Sequence, residues 1–208
     1  MPFEHGGRLV KPEWDISPSF LLTNTAPQAG AYGDAMARIP YFDMAALPPE
    51  TAELLKGRPP LNLYRMLPHA STIAPGFLAM GRAILTNSEI APQLRELVIL
   101  RVGALSDARY EIFQHRRVAS SVGVSDEKIE AALMLGSTEV LDELEKLLMR
   151  FTDAVVKEVK APDDLFNEVA SKLTLRSLSE LLLTIGFYML VSRFLENTGV
   201  DIEDRPVH

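Results

Sequence analysis

The segment ARYEIFQHRR, residues 108–117, places a carboxylate and an imidazole four residues apart, at Glu111 and His115. Four residues are about one turn of an α-helix, so the two side chains share one face. Apolar residues such as Ile112 and Ala119 lie along the same face, which predicts that it is buried. Ionisable groups are costly in such a place unless they pair or line a pocket, and this pair is suited to acid–base catalysis.

A third ionisable residue, Glu96, lies nineteen residues before His115 in the apolar segment PQLRELVILRVGALS. If both segments are helices joined by a short turn, Glu96 reaches the same region as Glu111 and His115. Structural alternatives stay open: Glu111 and His115 can form a satisfied core pair, and Glu96 can form a salt bridge with Arg95 or Arg101.

A metal site is a further alternative, because a Glu and a His one turn apart can share an ion with another carboxylate. The sequence contains no HExxH or ExxH pair, and its other three histidines have no ligand spacing to His115. We therefore expect neither a metal nor another cofactor.

The composition excludes several classes of function. The chain has 208 residues, a formal charge of −7 and no cysteine. The acidic balance disfavours nucleic-acid binding, and the lack of cysteine removes thiol nucleophiles and disulfides. The amino terminus shows no secretory signal, so we expect a cytoplasmic protein. The longest apolar run, residues 181–191, is too short for a bilayer and predicts a core helix without membrane contact.

The elements that must position these residues are helices. Nine of the fourteen prolines lie in residues 1–60, which predicts a Pro-rich arm over residues 1–49, with its aromatic rings packed partly on a neighbouring subunit. Residues 50–208 show helical rather than alternating periodicity, so we expect an all-α domain of about eight helices. Asp107 is the expected N-cap of the helix that carries His115, and Gly123 its stop.

Residues 95–133, together with the motif YExxQH at Tyr110, Glu111, Gln114 and His115, resemble the carboxymuconolactone decarboxylase family, which is related to the alkylhydroperoxidase D (AhpD)-like proteins. The resemblance extends over roughly residues 61–200. It implies an AhpD-like helical fold and a homo-oligomer, either a trimer or a hexamer. The peroxidase branch carries CxxCxxxH, whose two cysteine positions fall on Ala108 and Glu111 here. The resemblance therefore implies the decarboxylase-like branch, and thiol peroxidase activity is disfavoured.

The resemblance implies a cofactor-independent carboxy-lyase that acts on a carboxymuconolactone-like or related acid of aromatic-compound catabolism. We expect His115 to donate or shuttle the proton, Glu96 to orient it, and Tyr110 or a protonated Glu111 to donate to the enolate oxygen. The candidates for binding the substrate carboxylate are Arg65, His69, Arg101 and Arg109. The alternatives are a helical oligomer that binds a small acid without chemistry, and a lyase, isomerase or lactone hydrolase that uses the same Glu and His.

Overall fold

The computed structural model describes residues 37–203 of the chain. Over this range the protein forms nine α-helices and no strand, which confirms the all-α prediction. The α-helices are α1 (Pro49–Leu55), α2 (Asn62–Met66), α3 (Ala74–Asn87), α4 (Pro92–Leu105), α5 (Arg109–Ser121), α6 (Asp126–Ala132), α7 (Glu143–Glu158), α8 (Asp163–Ala170) and α9 (Leu175–Thr198). Three short 3₁₀ helices cover Met44–Ala46, Leu67–Ala70 and Thr138–Val140.

The central element is α4, which packs against α5, α6, α7 and α9. Pro92 occupies its first turn, where a missing N–H costs nothing. All six side chains from residue 95 to residue 100 are buried, including those of Arg95 and Glu96. The segment therefore runs through the interior, as its apolar sequence predicts.

The turn between α4 and α5 departs from the prediction at Asp107. The N-cap of α5 is Ala108, which makes no side-chain cap, whereas Asp107 has φ 50°. A tight reversal needs a residue in the left-handed region, and Asp adopts that conformation more readily than most residues. The predicted stop is confirmed, since Gly123 follows the end of α5 with φ 88°.

The long helix α9 forms one side of the core. Thr174 caps its N-terminus by accepting from the backbone N–H of Ser177, and Gly199 ends it in the left-handed conformation. By length and composition alone α9 could cross a membrane, but half of its most apolar stretch is buried inside the protein. This burial agrees with the core helix that the sequence predicts.

The packing of the arm is described only from residue 37 onward. Tyr41 donates to Asp201 Oδ2 and accepts from its backbone N–H, at 3.1 and 2.9 Å. Phe42 packs edge-on against His69, with ring centroids 5.4 Å apart. These two rings thus contact their own chain. The other arm aromatics for which we expect packing on a neighbouring subunit lie outside the described residues: Phe3, Trp14, Phe20 and Tyr32.

Candidate active site

Helices α4 and α5 bring Glu96 and His115 into direct contact. His115 Nδ1 lies 2.7 Å from Glu96 Oε2, and the Glu96 side chain is completely buried. The other oxygen, Oε1, accepts from Arg95 Nε at 3.1 Å. The salt bridge to Arg95 and the approach to His115 therefore occur together, and one carboxylate has both partners.

The hydrogen bond to Glu96 fixes the role of each nitrogen of His115. An ionised carboxylate only accepts hydrogen bonds, so Nδ1 carries the hydrogen and Nε2 is the nitrogen left for a ligand. The His115 side chain is 12 % exposed and lines a cavity. Its ring packs nearly perpendicular to that of Tyr188, with centroids 4.9 Å apart. The carboxylate and the aromatic ring thus hold the imidazole in one orientation.

Glu111 is buried one turn before His115, with 2 % of its surface exposed. Its Oε2 accepts from Ser192 Oγ at 2.8 Å, whereas Oε1 has no hydrogen-bond partner among residues 37–203. Burial raises the pKa of Glu111 to about 8, the Ser192 bond opposes this, and the negative charge of Glu196 adds to it. At pH 7 the neutral acid therefore predominates, with Oε1 as the site for its proton.

Gly103 of α4 makes room for Glu111. A Cβ built at Gly103 would lie 3.3 Å from Glu111 Oε1 and 3.1 Å from Ile112 Cγ1. Both separations are shorter than comfortable van der Waals contact. The absence of a side chain at Gly103 lets the Glu111 carboxyl group lie against the α4 backbone.

Tyr110 and Gln114 are bound by a residue far along the chain, Glu203. Tyr110 donates to Glu203 Oε1 at 2.5 Å, and Gln114 Nε2 donates to Oε2 at 2.6 Å. The backbone N–H of Asn62, in the first turn of α2, donates to Oε1 at 2.6 Å. Burial, together with the Glu203 hydrogen bond, raises the pKa of Tyr110 well above its ordinary value. The hydroxyl is thus protonated and already committed to Glu203.

A cavity of about 510 Å³ lies beside these residues. Helices α3 and α5 both pack on α9 and both line the cavity, so it lies between them. Its polar lining includes Tyr110, Glu111, Gln114, His115 and Tyr188. Glu96 does not line it and lies behind His115. The arrangement is a largely apolar chamber with an imidazole and a neutral carboxyl group on one wall.

The candidate cations for the substrate carboxylate lie elsewhere. Arg65 stacks over the ring of Tyr41 at 4.4 Å, and His69 Nε2 lies 2.8 Å from the carbonyl oxygen of Pro40. Arg101 donates to both carboxylate oxygens of Asp153, at 2.5 and 2.7 Å. It lines a second cavity of about 710 Å³. None of the three, nor Arg109, lines the cavity that contains His115.

Sequence reasoning did not select three residues that the structure brings to the site, Tyr188, Ser192 and Glu203. Tyr188 and Ser192 are one turn apart at the end of the apolar run in α9, which is the signal that identified Glu111 and His115. Glu203 follows the last helix and shows no periodicity, so nothing local marks it. Within the described residues, no group of three His, Cys, Asp or Glu side chains is placed to hold a metal ion.

Comparisons with known proteins agree with this description. Residues 72–158 match the model of the carboxymuconolactone decarboxylase family, and this range contains Glu96, Tyr110, Glu111 and His115. No significant match was found among curated proteins.

Solved structures share the fold. An uncharacterized peroxidase-related protein from Ralstonia eutropha JMP134, with an AhpD core, is 17% identical with a TM-score of 0.70, covering 82% of this chain and 94% of its own. Another uncharacterized peroxidase-related protein, from Silicibacter sp. TM1040, is 16% identical with a TM-score of 0.67, and the match covers 83% of this chain and 94% of that protein. The debrominase Bmp8 in complex with 2,3,4-tribromopyrrole is 16% identical with a TM-score of 0.65, covering 79% and 90%. The AhpD-like architecture is thus confirmed.

Proposed function

We propose that the protein is a cofactor-independent carboxy-lyase of lactone or aromatic-derived acids, on the premise that residues 72–158 match the carboxymuconolactone decarboxylase family model. The observation that carries the proposal is the hydrogen bond between Glu96 and His115, with His115 lining the cavity. An imidazole held by a buried carboxylate is suited to proton transfer at a bound substrate.

For this reaction the protein must orient the substrate and supply one proton. The substrate carboxylate leaves as carbon dioxide, and the electron pair of the broken carbon–carbon bond passes into the conjugated carbonyl group of the ring. The resulting enolate then takes a proton on carbon, so that hydrogen replaces the lost carboxylate. In our proposal protonated His115 delivers that proton from Nε2, while Glu96 offsets the positive charge of the imidazolium ring.

Glu111 is suited to stabilise the enolate. A neutral carboxyl group can donate a hydrogen bond to the developing negative charge, whereas an ionised one would repel it. Its Oε1 is the atom with no hydrogen-bond partner in the described part of the chain. Tyr110, the other candidate, already donates its hydroxyl hydrogen to Glu203. We therefore assign the enolate contact to Glu111.

The full sequence contains no cysteine, so a thiol relay cannot operate within this chain. The structural similarity to peroxidase-related and debrominase proteins, at 16–17% identity, extends to the fold alone.

The expected homo-oligomer has support in the surface of α9. Leu183 and Leu190 lie seven residues apart, two helical turns, and are 56 % and 52 % exposed. Contiguous apolar patches are typical of surfaces that pack against another molecule, and we propose that these two leucines belong to such a patch. Light scattering on the purified protein tests this expectation, and a monomer at micromolar concentration would contradict it.

The proposed activity is tested by carbon dioxide release from carboxymuconolactone. Wild-type protein treated with a chelator is compared with His115→Ala and with His69→Ala, whose histidine lies outside the cavity. We expect release by the wild type and by His69→Ala, and loss of turnover in His115→Ala. Equal release by folded His115→Ala would refute the assigned role. No release by the wild type would leave acid binding, or isomerase or hydrolase chemistry, and analysis of product mass separates these.

A further inference from the structure

The ionisable lining of the 510 Å³ cavity is unlike the rest of the protein. The chain as a whole has 28 acidic and 21 basic residues. Among residues 37–203, the cavity is lined instead by three arginines, at positions 58, 82 and 117, and by one carboxyl group, that of Glu111. That carboxyl group is largely neutral at pH 7, since burial raises its pKa to about 8. The charged side chains that line this largely apolar cavity are therefore mainly arginines, in a protein that is acidic as a whole.

The three arginines differ in what their guanidinium groups already contact. Arg58 donates from Nε to the carbonyl oxygen of Leu54 and lies 5.4 Å from the centre of the Tyr64 ring. Arg117 lies 6.0 Å from the centre of the Phe113 ring and has a further interaction. The guanidinium of Arg82 has no hydrogen bond, ion pair or ring contact with any described residue. Arg82 is therefore the cation best placed to take a ligand.

Arg82 is an exposed residue of α3 that lines the cavity and follows a glycine at which α3 packs closely against α9. The preceding residue, Gly81, has no side chain, and a Cβ there would lie 3.3 Å from Phe187 Cζ. Gly81 thereby lets the Phe187 ring lie directly against α3. The apolar lining of the cavity includes Phe77, Leu78, Leu85, Phe187, Val191 and Leu195.

We propose that the cavity binds an organic acid with a cyclic, largely apolar body, whose carboxylate pairs with Arg82 while its other end lies at His115. A guanidinium binds a carboxylate through two parallel hydrogen bonds, and the phenylalanine and leucine side chains favour a ring over a sugar or an open-chain acid. The proposal deepens the proposed function and rests on it in one respect, the placing of the reacting end at His115.

Calorimetric titration with two probes of the same shape tests the role of Arg82. The probes are 2-naphthoate, an apolar bicyclic acid, and its neutral amide, 2-naphthamide. We expect the wild type to bind the acid about tenfold more tightly than the amide, because a hydrogen bond to a charged group contributes roughly that factor. Arg82→Gln should lose this preference without weakening amide binding. Raising the salt concentration should reduce the preference in the wild type.

Arg193→Gln is the matched control, because Arg193 is an exposed arginine that bonds the backbone of its own helix at Met189 and does not line the cavity. It should keep the wild-type preference. Equal binding of acid and amide by the wild type, an unchanged preference in Arg82→Gln, or no binding of either probe would overturn the proposal. If the protein prefers 2-naphthoate to 2-naphthamide but releases no carbon dioxide, only the proposed reaction is refuted. If it releases carbon dioxide but shows no such preference, only the role of Arg82 is refuted.

Discussion

Glu96 accepts from His115 at 2.7 Å through one carboxylate oxygen while its other oxygen accepts from Arg95. The Glu96 side chain is completely buried, and 6 % of the Arg95 side chain is exposed. One carboxylate therefore orients the imidazole and supplies the counter-charge of a buried guanidinium. In the proposed mechanism this residue therefore serves both proton transfer and stability, and substitution can measure its contribution to stability.

Glu96→Gln should be strongly destabilising. The amide keeps the shape of the side chain but leaves the Arg95 charge buried without a counter-ion, which typically costs about 3–5 kcal/mol. Urea unfolding would measure the loss. The double variant Arg95→Met/Glu96→Gln should recover part of it, because the unpaired charge is also removed. A single variant as stable as the wild type would show that the ion pair does not stabilise the fold.

Glu111→Gln should change the pH dependence of stability. The pKa of Glu111 is about 8 in the folded protein against an ordinary 4.5, so the folded state binds the extra proton between these values. The stability that Glu111 gains from its raised pKa is fully present below about pH 4.5 and is lost as the pH rises towards 8. Each unit of pKa difference is worth about 1.4 kcal/mol, so the effect amounts to a few kcal/mol.

Denaturant midpoints at pH 5 and pH 9 would test this expectation. The uncharged variant should gain stability relative to the wild type at pH 9 and lose most of that advantage at pH 5. Glu143→Gln is a suitable control, since the side chain of Glu143 is 93 % exposed. Parallel pH profiles for Glu111→Gln and the wild type would show that Glu111 is ionised in the folded protein across the range.

Gly103→Ala should crowd the buried carboxyl group. The added methyl group would meet Ile112 and Glu111 at 3.1 and 3.3 Å, so a side chain of α5 must move. Overpacking of this kind costs about 1–3 kcal/mol. Thermal unfolding would measure it, with Gly76→Ala as control because a Cβ there meets nothing within 4 Å. If Gly103→Ala unfolded at the same temperature as the wild type, α4 and α5 would be able to move apart at this point without loss of stability.

Glu203→Ala should loosen one wall of the cavity. Three donors, from Tyr110, Gln114 and the backbone of Asn62, converge on this carboxylate. The loss of these hydrogen bonds should lower the free energy of unfolding by about 1–3 kcal/mol and increase amide hydrogen exchange in α2. Ile202→Ala is the control, since Ile202 directly precedes Glu203 in the chain and is 40 % exposed. Unchanged amide exchange in α2 would mean that the hydrogen bond from Asn62 to Glu203 does not stabilise this helix.

The sequence was sufficient to predict the helical domain and the contact between α4 and α5. Apolar periodicity defined the buried faces, and ionisable residues that interrupted them identified Glu96, Glu111 and His115. The family resemblance added the fold. These features depend on spacing within one or two neighbouring helices, which a sequence displays directly.

The candidate cations for a substrate carboxylate show what this reasoning could not predict. Helical periodicity indicates which face a charged residue occupies but not the partner that it meets. Arg101 is bound by Asp153, 52 residues further along the chain, whereas Arg82 lines the cavity without an ion pair among the described residues. Asp107 differs for a local reason, since the turn geometry required a left-handed residue more than it required a cap.

The two sets of contacts around the cavity differ greatly in the length of chain that they enclose. His115 and Glu96 are 19 residues apart, whereas Tyr110 and Glu203 are 93 apart. Closing a long loop costs more entropy than closing a short one, so contacts between distant residues tend to form late in folding. During folding we expect the imidazole and its carboxylate to meet before the chamber around them is complete.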